Sequence, residues 1–193
     1  MDIQTYRTVW LLRHGQETPE RPKPLGGHLT EVGRQQAELT AQRLAGLPIQ
    51  RIVASTLHRA AETAQIIAAH LPNAAIEYTD EPWECTPAIP PHLAEYFTHL
   101  SPEMITANLT QLDQAYQRCF EDDAAPGMTL LVCHGNVIRY LLCRALELAG
   151  EEFARFDIFN CGLCRVDWKT VLGRQVTGLN DAGHLPLEMQ MYG

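Results

Sequence analysis

Short apolar runs alternate with helix-patterned stretches along almost the whole chain, and this restricts the fold more than any other feature. Residues 8–12 (TVWLL) read as a buried strand. Thr30 to Gly46 reads as a helix, with Thr30 placed to cap it, Ala37, Ala41, Leu44 and Ala45 on one face, and Gly46 and Pro48 ending it. A second strand, Ile52 to Ala54, precedes a second helix through Ala60, Ala64, Ile67 and Leu71 that stops at Pro72. A strand is expected near Ile76 to Tyr78, and the prolines at 82, 87, 90 and 91 make 81–91 an irregular loop. From Pro102 a helical stripe carries Ile105, Leu109, Leu112, Tyr116 and Cys119, and Pro126-Gly127 forms a turn. Met128 to Cys133 is the most strand-like run. The next helix, Asn136 to Leu148, turns Ile138, Leu141, Leu142, Ala145 and Leu148 inward, and strands follow at 161–167 and 174–179. This order predicts a three-layer α/β/α sandwich with a mainly parallel central sheet, formed by 1–193 as a single domain.

Composition narrows the function. The chain is 46% hydrophobic and 20% charged, which excludes disorder as its main state. Fifteen Lys and Arg against 23 Asp and Glu give a formal charge of −8, so no nucleic-acid partner is expected. No apolar run approaches the roughly 20 residues of a membrane span, and the N-terminus lacks a secretion-signal pattern. No membrane association is expected, and the location expected is cytoplasmic. Six cysteines, at 85, 119, 133, 143, 161 and 164, sit in apolar contexts and read as reduced, mostly buried thiols. Cys161 and Cys164 form a C-x-x-C that would suit redox or zinc chemistry, but there is no second pair or nearby His. Neither a metal nor another cofactor is expected.

Ligands of such sheets bind at the carboxyl ends of the strands. Two strands end alike, in Leu12-Arg13-His14-Gly15 and Cys133-His134-Gly135-Asn136, each with a glycine that permits close backbone approach. The strand at 52–54 leads through Ser55 to Arg59, so two histidines and two arginines converge on one edge. Arg13 and Arg59 offer planar forks suited to phosphate oxygens, and the helix start near Asn136 offers N–H groups to an anion. A histidine can attack phosphorus through one ring nitrogen while a carbonyl holds the other, with arginine and histidinium neutralising the phosphoryl charge. The histidines at 28, 58, 70, 92 and 99 read as surface or loop residues.

The stretches LLRHGQET (11–18), LTEVGRQQA (29–37), ASTLHRAAETAQIIA (54–68), LLVCHGNVIRYLL (130–142) and LNDAGHL (179–185) together resemble the histidine phosphatase superfamily, the phosphoglycerate-mutase-like fold. They occur in that family's order and span nearly the whole chain. The resemblance implies that His14 is the nucleophile that becomes phosphohistidine. Arg13, Arg59 and His134 would line the phosphate pocket, and the Gly135 N–H would add a donor. Arg139, one turn into the helix, is expected to act behind the site at most.

The family's general acid lies on the loop after the middle strand. Here residues 80–87 (DEPWECTP) hold Asp80, Glu81 and Glu84. The branch of mitochondrial mutase-like protein phosphatases has Glu-Gly-x-Pro there, and Glu84-Cys85-Thr86-Pro87 is similar with Cys85 for glycine. The resemblance therefore implies Glu84 as acid and later base. CHGNVIRYLLCRALEL (133–148) is also similar to that branch.

Glycolytic mutases carry an Asn- and Trp-containing stretch after Arg-His-Gly, and extra basic residues. Residues 16–24 (QETPERPKP) are short and Pro-rich instead, so mutase activity is not expected. The branch also carries a membrane anchor and an assembly segment before its catalytic domain, and neither is expected in a sequence that opens on the first strand. The implied activity is a metal-independent phosphomonoesterase working through phosphohistidine on a phosphoprotein or a small phosphate ester. One alternative is a small-metabolite phosphatase acting on a sugar or ribazole phosphate. An alternative of another class is a non-catalytic phosphate-binding adaptor.

Overall fold

The computed structural model describes residues 4–19, 25–121 and 126–192. Six strands form one sheet: β1 (Thr5–Arg13), β2 (Arg51–Ser55), β3 (Ala75–Thr79), β4 (Gly127–Cys133), β5 (Leu163–Lys169) and β6 (Gly173–Asp181). Their spatial order is β3-β2-β4-β1-β5-β6. The first four strands of that order are mutually parallel, while β5 and β6 add an antiparallel hairpin at one edge. The predicted three-layer, mainly parallel α/β architecture is therefore present.

Both faces of the inner strands β2, β4, β1 and β5 are buried, as a sheet covered by helices on both sides requires. In β1, Val9 and Leu11 enter one core with Leu131, Leu141 and Leu112, while Trp10 and Leu12 enter the other with Leu130, Ala41 and Ala64. The first core lies under α3 (Pro102–Tyr116) and α4 (Gly135–Ala145), the second under α1 (Glu31–Leu44) and α2 (His58–Ala68). Thr30 caps α1 as its sequence implies, its hydroxyl accepting the Gly33 N–H.

Two local expectations change. α4 ends at Ala145, and Glu147 takes a positive φ of 58°, so Leu148 is exposed rather than inward. The turn before β5 absorbs Cys161, at φ 54°, and the strand begins only at Leu163. Cys161 consequently packs in one core and Cys164 in the other. All six thiols are free, and burial pushes those of Cys161 and Cys164 up to about 12 and about 11. A thiol so held is a poor redox nucleophile.

One close approach fixes the start of the β1–α1 connection. A Cβ on Gly33 would lie 2.2 Å from the Gln16 carbonyl oxygen, and one on Gly15 would lie 2.4 Å from that of Gly33. Backbone meets backbone here, so neither side can yield. Gly33→Ala is expected to lower stability by about 1–3 kcal/mol, measured by urea unfolding. Gly46→Ala, with nothing within 4 Å of the added carbon, is the control and should change little.

Candidate active site

The sheet register brings the two matching strand ends together. β1 pairs with β4 up to Arg13↔Cys133, and His14 N–H donates to the Cys133 carbonyl at 3.0 Å. His14 and His134 therefore leave adjacent parallel strands at the same level, with ring centroids 5.1 Å apart. β2 ends one strand further along, and Arg59 enters from the first turn of α2.

His14 is held at both ring nitrogens. Nδ1 lies 2.7 Å from the Gly15 carbonyl oxygen, and Nε2 accepts from Arg59 Nε at 3.0 Å. A carbonyl can only accept, so Nδ1 carries the proton and Nε2 carries the lone pair. Gly15 N–H is tied in turn to Thr63 Oγ1 at 3.1 Å, and Asn160 Nδ2 donates to the His14 carbonyl at 3.1 Å. The side chain is thus buried and oriented, not merely past the buried part of its strand.

Arg13, His14, Arg59 and Glu84 open onto one pocket of about 220 Å³, together with Glu17, Gly135, Asn136 and Arg139. Arg13 is anchored by Nη1 donating to the Ile158 carbonyl at 2.7 Å. Burial lowers its pKa, with Glu84 opposing that effect, but a guanidinium remains charged at neutral pH. The Gly135 N–H belongs to the first turn of α4, the expected anion-binding end of that helix.

The structure separates the three carboxylates of the Pro-rich loop. Glu81 forms a bidentate pair with Arg118, and Asp80 accepts from the Thr56 hydroxyl. Glu84 alone of the three lines the pocket. Trp83 Nε1 donates to Thr56 Oγ1 at 2.6 Å, Gln111 to the Trp83 carbonyl at 3.2 Å and Asn108 to the Thr86 carbonyl at 2.9 Å, which pins the loop on both sides of Glu84. Water reaches Glu84, yet protein crowds its carboxyl, and this desolvation raises its pKa above the usual carboxylate range. Arg59, Arg13 and the Asn136 backbone N–H pull the other way. Cys85, where the similar branch has glycine, packs its half-buried side chain against the α3/α4 core.

Three sequence expectations need correction. His134 is fully buried and does not itself line the pocket; its neighbours Gly135 and Asn136 do. Its Nε2 lies 2.9 Å from Ser55 Oγ, while Nδ1 has no hydrogen-bond partner among the described residues. Burial, then His14 and the two arginines, push its pKa well below the usual histidine value, so it is neutral where a histidinium was expected. Arg139 does line the pocket, held by Asn136 Oδ1 at 3.2 Å and Asp157 at 3.0 Å. Asn136 lines the pocket at the helix start expected to meet an anion, whereas Glu17 is marked in the sequence only by its adjacency to the Arg-His-Gly turn. Within the Pro-rich stretch at 16–24, Pro22 and Pro24 lie outside the described residues. Among the described residues no group of three or more His, Cys, Asp or Glu side chains is placed to hold a metal ion.

Residues 9–86 and 97–181 match the family model of the histidine phosphatase superfamily (branch 1). The chain is 36% identical over 194 residues to the mitochondrial serine/threonine-protein phosphatase Pgam5 of Caenorhabditis elegans, covering 93% of this chain and 64% of that protein. It therefore spans a little under two thirds of that relative. The fold matches a phosphoserine phosphatase from Entamoeba histolytica (TM-score 0.71, 21% identity, 93% of this chain and 100% of that one). It also matches a phosphoglycerate mutase from Plasmodium falciparum (TM-score 0.65, 26% identity, 98% and 100% covered). The mitochondrial name of the relative is at odds with the cytoplasmic location expected from the sequence. No helix among the described residues is long and apolar enough to cross a membrane.

Proposed function

Because this chain belongs to the histidine phosphatase superfamily, we propose that it is a phosphomonoesterase working through a phosphohistidine on His14. One observation carries this reading: a single pocket holds the proton-free Nε2 of His14, the half-buried Arg13, the buried Arg59 and the raised-pKa carboxyl of Glu84. An adaptor that only bound phosphate would have no use for that acid.

The phosphoryl group of the ester is seated by Arg13, Arg59 and the Gly135 N–H. His14 Nε2 forms a bond to phosphorus as the ester P–O bond breaks. Glu84 gives its proton to the departing oxygen, which leaves as an alcohol. The resulting carboxylate takes a proton from water, whose oxygen attacks the phosphohistidine. Phosphate leaves, and His14 regains its lone pair with Nδ1–H still on the Gly15 carbonyl. Neutral His134, with Nε2 engaged by Ser55 Oγ, backs the His14 ring from behind the pocket. Charge is neutralised by guanidinium groups, so no divalent ion is required.

The substrate we favour is a phosphoserine- or phosphothreonine-bearing protein, the class named for the relative, with a small phosphate ester as the alternative. Mutase activity is not part of this reading. Hydrolysis of an aryl phosphate should proceed unchanged in EDTA. Loss of activity in EDTA with recovery on adding a divalent ion would overturn the scheme. Relative kcat/KM over phosphopeptides, phosphosugars and 3-phosphoglycerate decides the substrate class.

A further inference from the structure

We propose that Glu17 is a positioning residue for the nucleophile: it takes the Arg59 Nε–H away from His14 at the moment of attack. This rests on the reading of His14 as the nucleophile.

In the structure Arg59 Nε donates to His14 Nε2 at 3.0 Å. That is the lone pair that must reach phosphorus, and a lone pair engaged by a donor is a weaker nucleophile. The arginine Nε has one hydrogen, so a second acceptor must receive it when His14 turns to the substrate. Glu17 Oε2 stands 3.5 Å from the same nitrogen. A carboxylate is a stronger acceptor than a neutral imidazole, so the exchange needs only a small rotation of the guanidinium.

The surroundings confine Arg59 to that rotation. The side chains of Arg59 and Glu17 are 9% and 14% exposed. A Cβ on Gly26, which has a φ of +76°, would lie 2.5 Å from Arg59 Nη1, so the backbone already abuts the guanidinium on that side. Glu17 is fixed by its antiparallel bridge to Leu29, and the next residue donates from Thr18 N–H to the His28 carbonyl at 2.8 Å. A carboxylate inside an anion pocket also repels the ligand. Its presence weakens phosphate binding while freeing the nucleophile, and these two effects have opposite signs.

The test compares Glu17→Gln with the wild-type chain in three measurements. Affinity for inorganic phosphate should rise by about tenfold, since one like charge is gone. Phosphoenzyme formation from nitrophenyl phosphate should slow by about tenfold, because a neutral amide competes poorly for the Arg59 proton. Acylation of His14 by diethylpyrocarbonate, followed by peptide mass, should slow several-fold. A variant in which phosphate binding weakens alongside the rate would show a merely structural role and overturn the proposal. So would a variant whose His14 acylation matches wild type. If the wild-type chain hydrolyses no ester, the proposed function fails, and the acylation and phosphate measurements still decide the role of Glu17.

Discussion

His14→Ala is expected to abolish ester hydrolysis, with a loss of roughly 10⁴–10⁶-fold, the scale on which removal of a catalytic nucleophile acts. The pocket keeps both arginines and Glu84, so phosphate should still bind. The side chain is only 3% exposed and bonded at both nitrogens, so the substitution leaves a small cavity and an Arg59 donor with one acceptor fewer. A stability loss of about 1–3 kcal/mol follows. Thermal unfolding and phosphate titration of the variant therefore accompany the assay. Free imidazole, which fits the vacated space, should restore a small part of the activity. Radiolabelled wild-type enzyme should carry acid-labile, alkali-stable phosphate, and the variant none. Full activity in a folded His14→Ala chain would reject His14 as nucleophile.

Glu84→Gln should lower turnover of alkyl phosphates by about 10²–10⁴-fold. An alkoxide is too basic to leave without a proton, and Glu84 is the one carboxylate of its loop that faces the pocket. Nitrophenolate leaves unaided, so phosphoenzyme formation from nitrophenyl phosphate should fall less. Hydrolysis of the phosphohistidine still needs a base, so that step should slow with every substrate and the intermediate should accumulate. Desolvation raises the Glu84 pKa, so the acid stays protonated to higher pH than a free glutamate. The rate of phosphoryl transfer from alkyl esters is then high below that raised pKa and falls as pH passes through it, and this alkaline limb should vanish in Glu84→Gln. Rapid-quench labelling of Glu84→Gln beside Glu81→Gln checks the assignment. Glu81 is engaged by Arg118 away from the pocket, and its variant should keep near wild-type leaving-group dependence. The reverse result would place the acid three residues earlier in the loop.

The elements that could be read from the sequence are those whose pattern is local. The four apolar residues at 9–12, the Thr30 cap, and the proline cluster of the Glu84 loop each act within a few residues. Each appears where expected. The end of α4 was less legible. The apolar spacing continues to Leu148, but the backbone reverses at Glu147, and no glycine or proline marks the stop. The antiparallel attachment of β5 and β6 is likewise invisible in two strand-like runs, because orientation depends on what lies beside them.

The sequence by itself determined the strand-end histidines and arginines, since a catalytic turn at the carboxyl end of a buried strand is written in consecutive residues. Only the tertiary structure decided which side chains face the phosphate pocket. Glu84 rather than Glu81 or Asp80 enters it because Arg118 and Thr56, far away in sequence, bind the other two. Arg139 reaches it across a turn of α4, and Glu17 meets Arg59 from a different loop. His134 sits behind His14 because parallel register sets the two strand ends level, and burial there removes its charge. Local propensity acts over a few bonds, whereas burial, ion pairing and pKa depend on neighbours that only the folded sheet assembles.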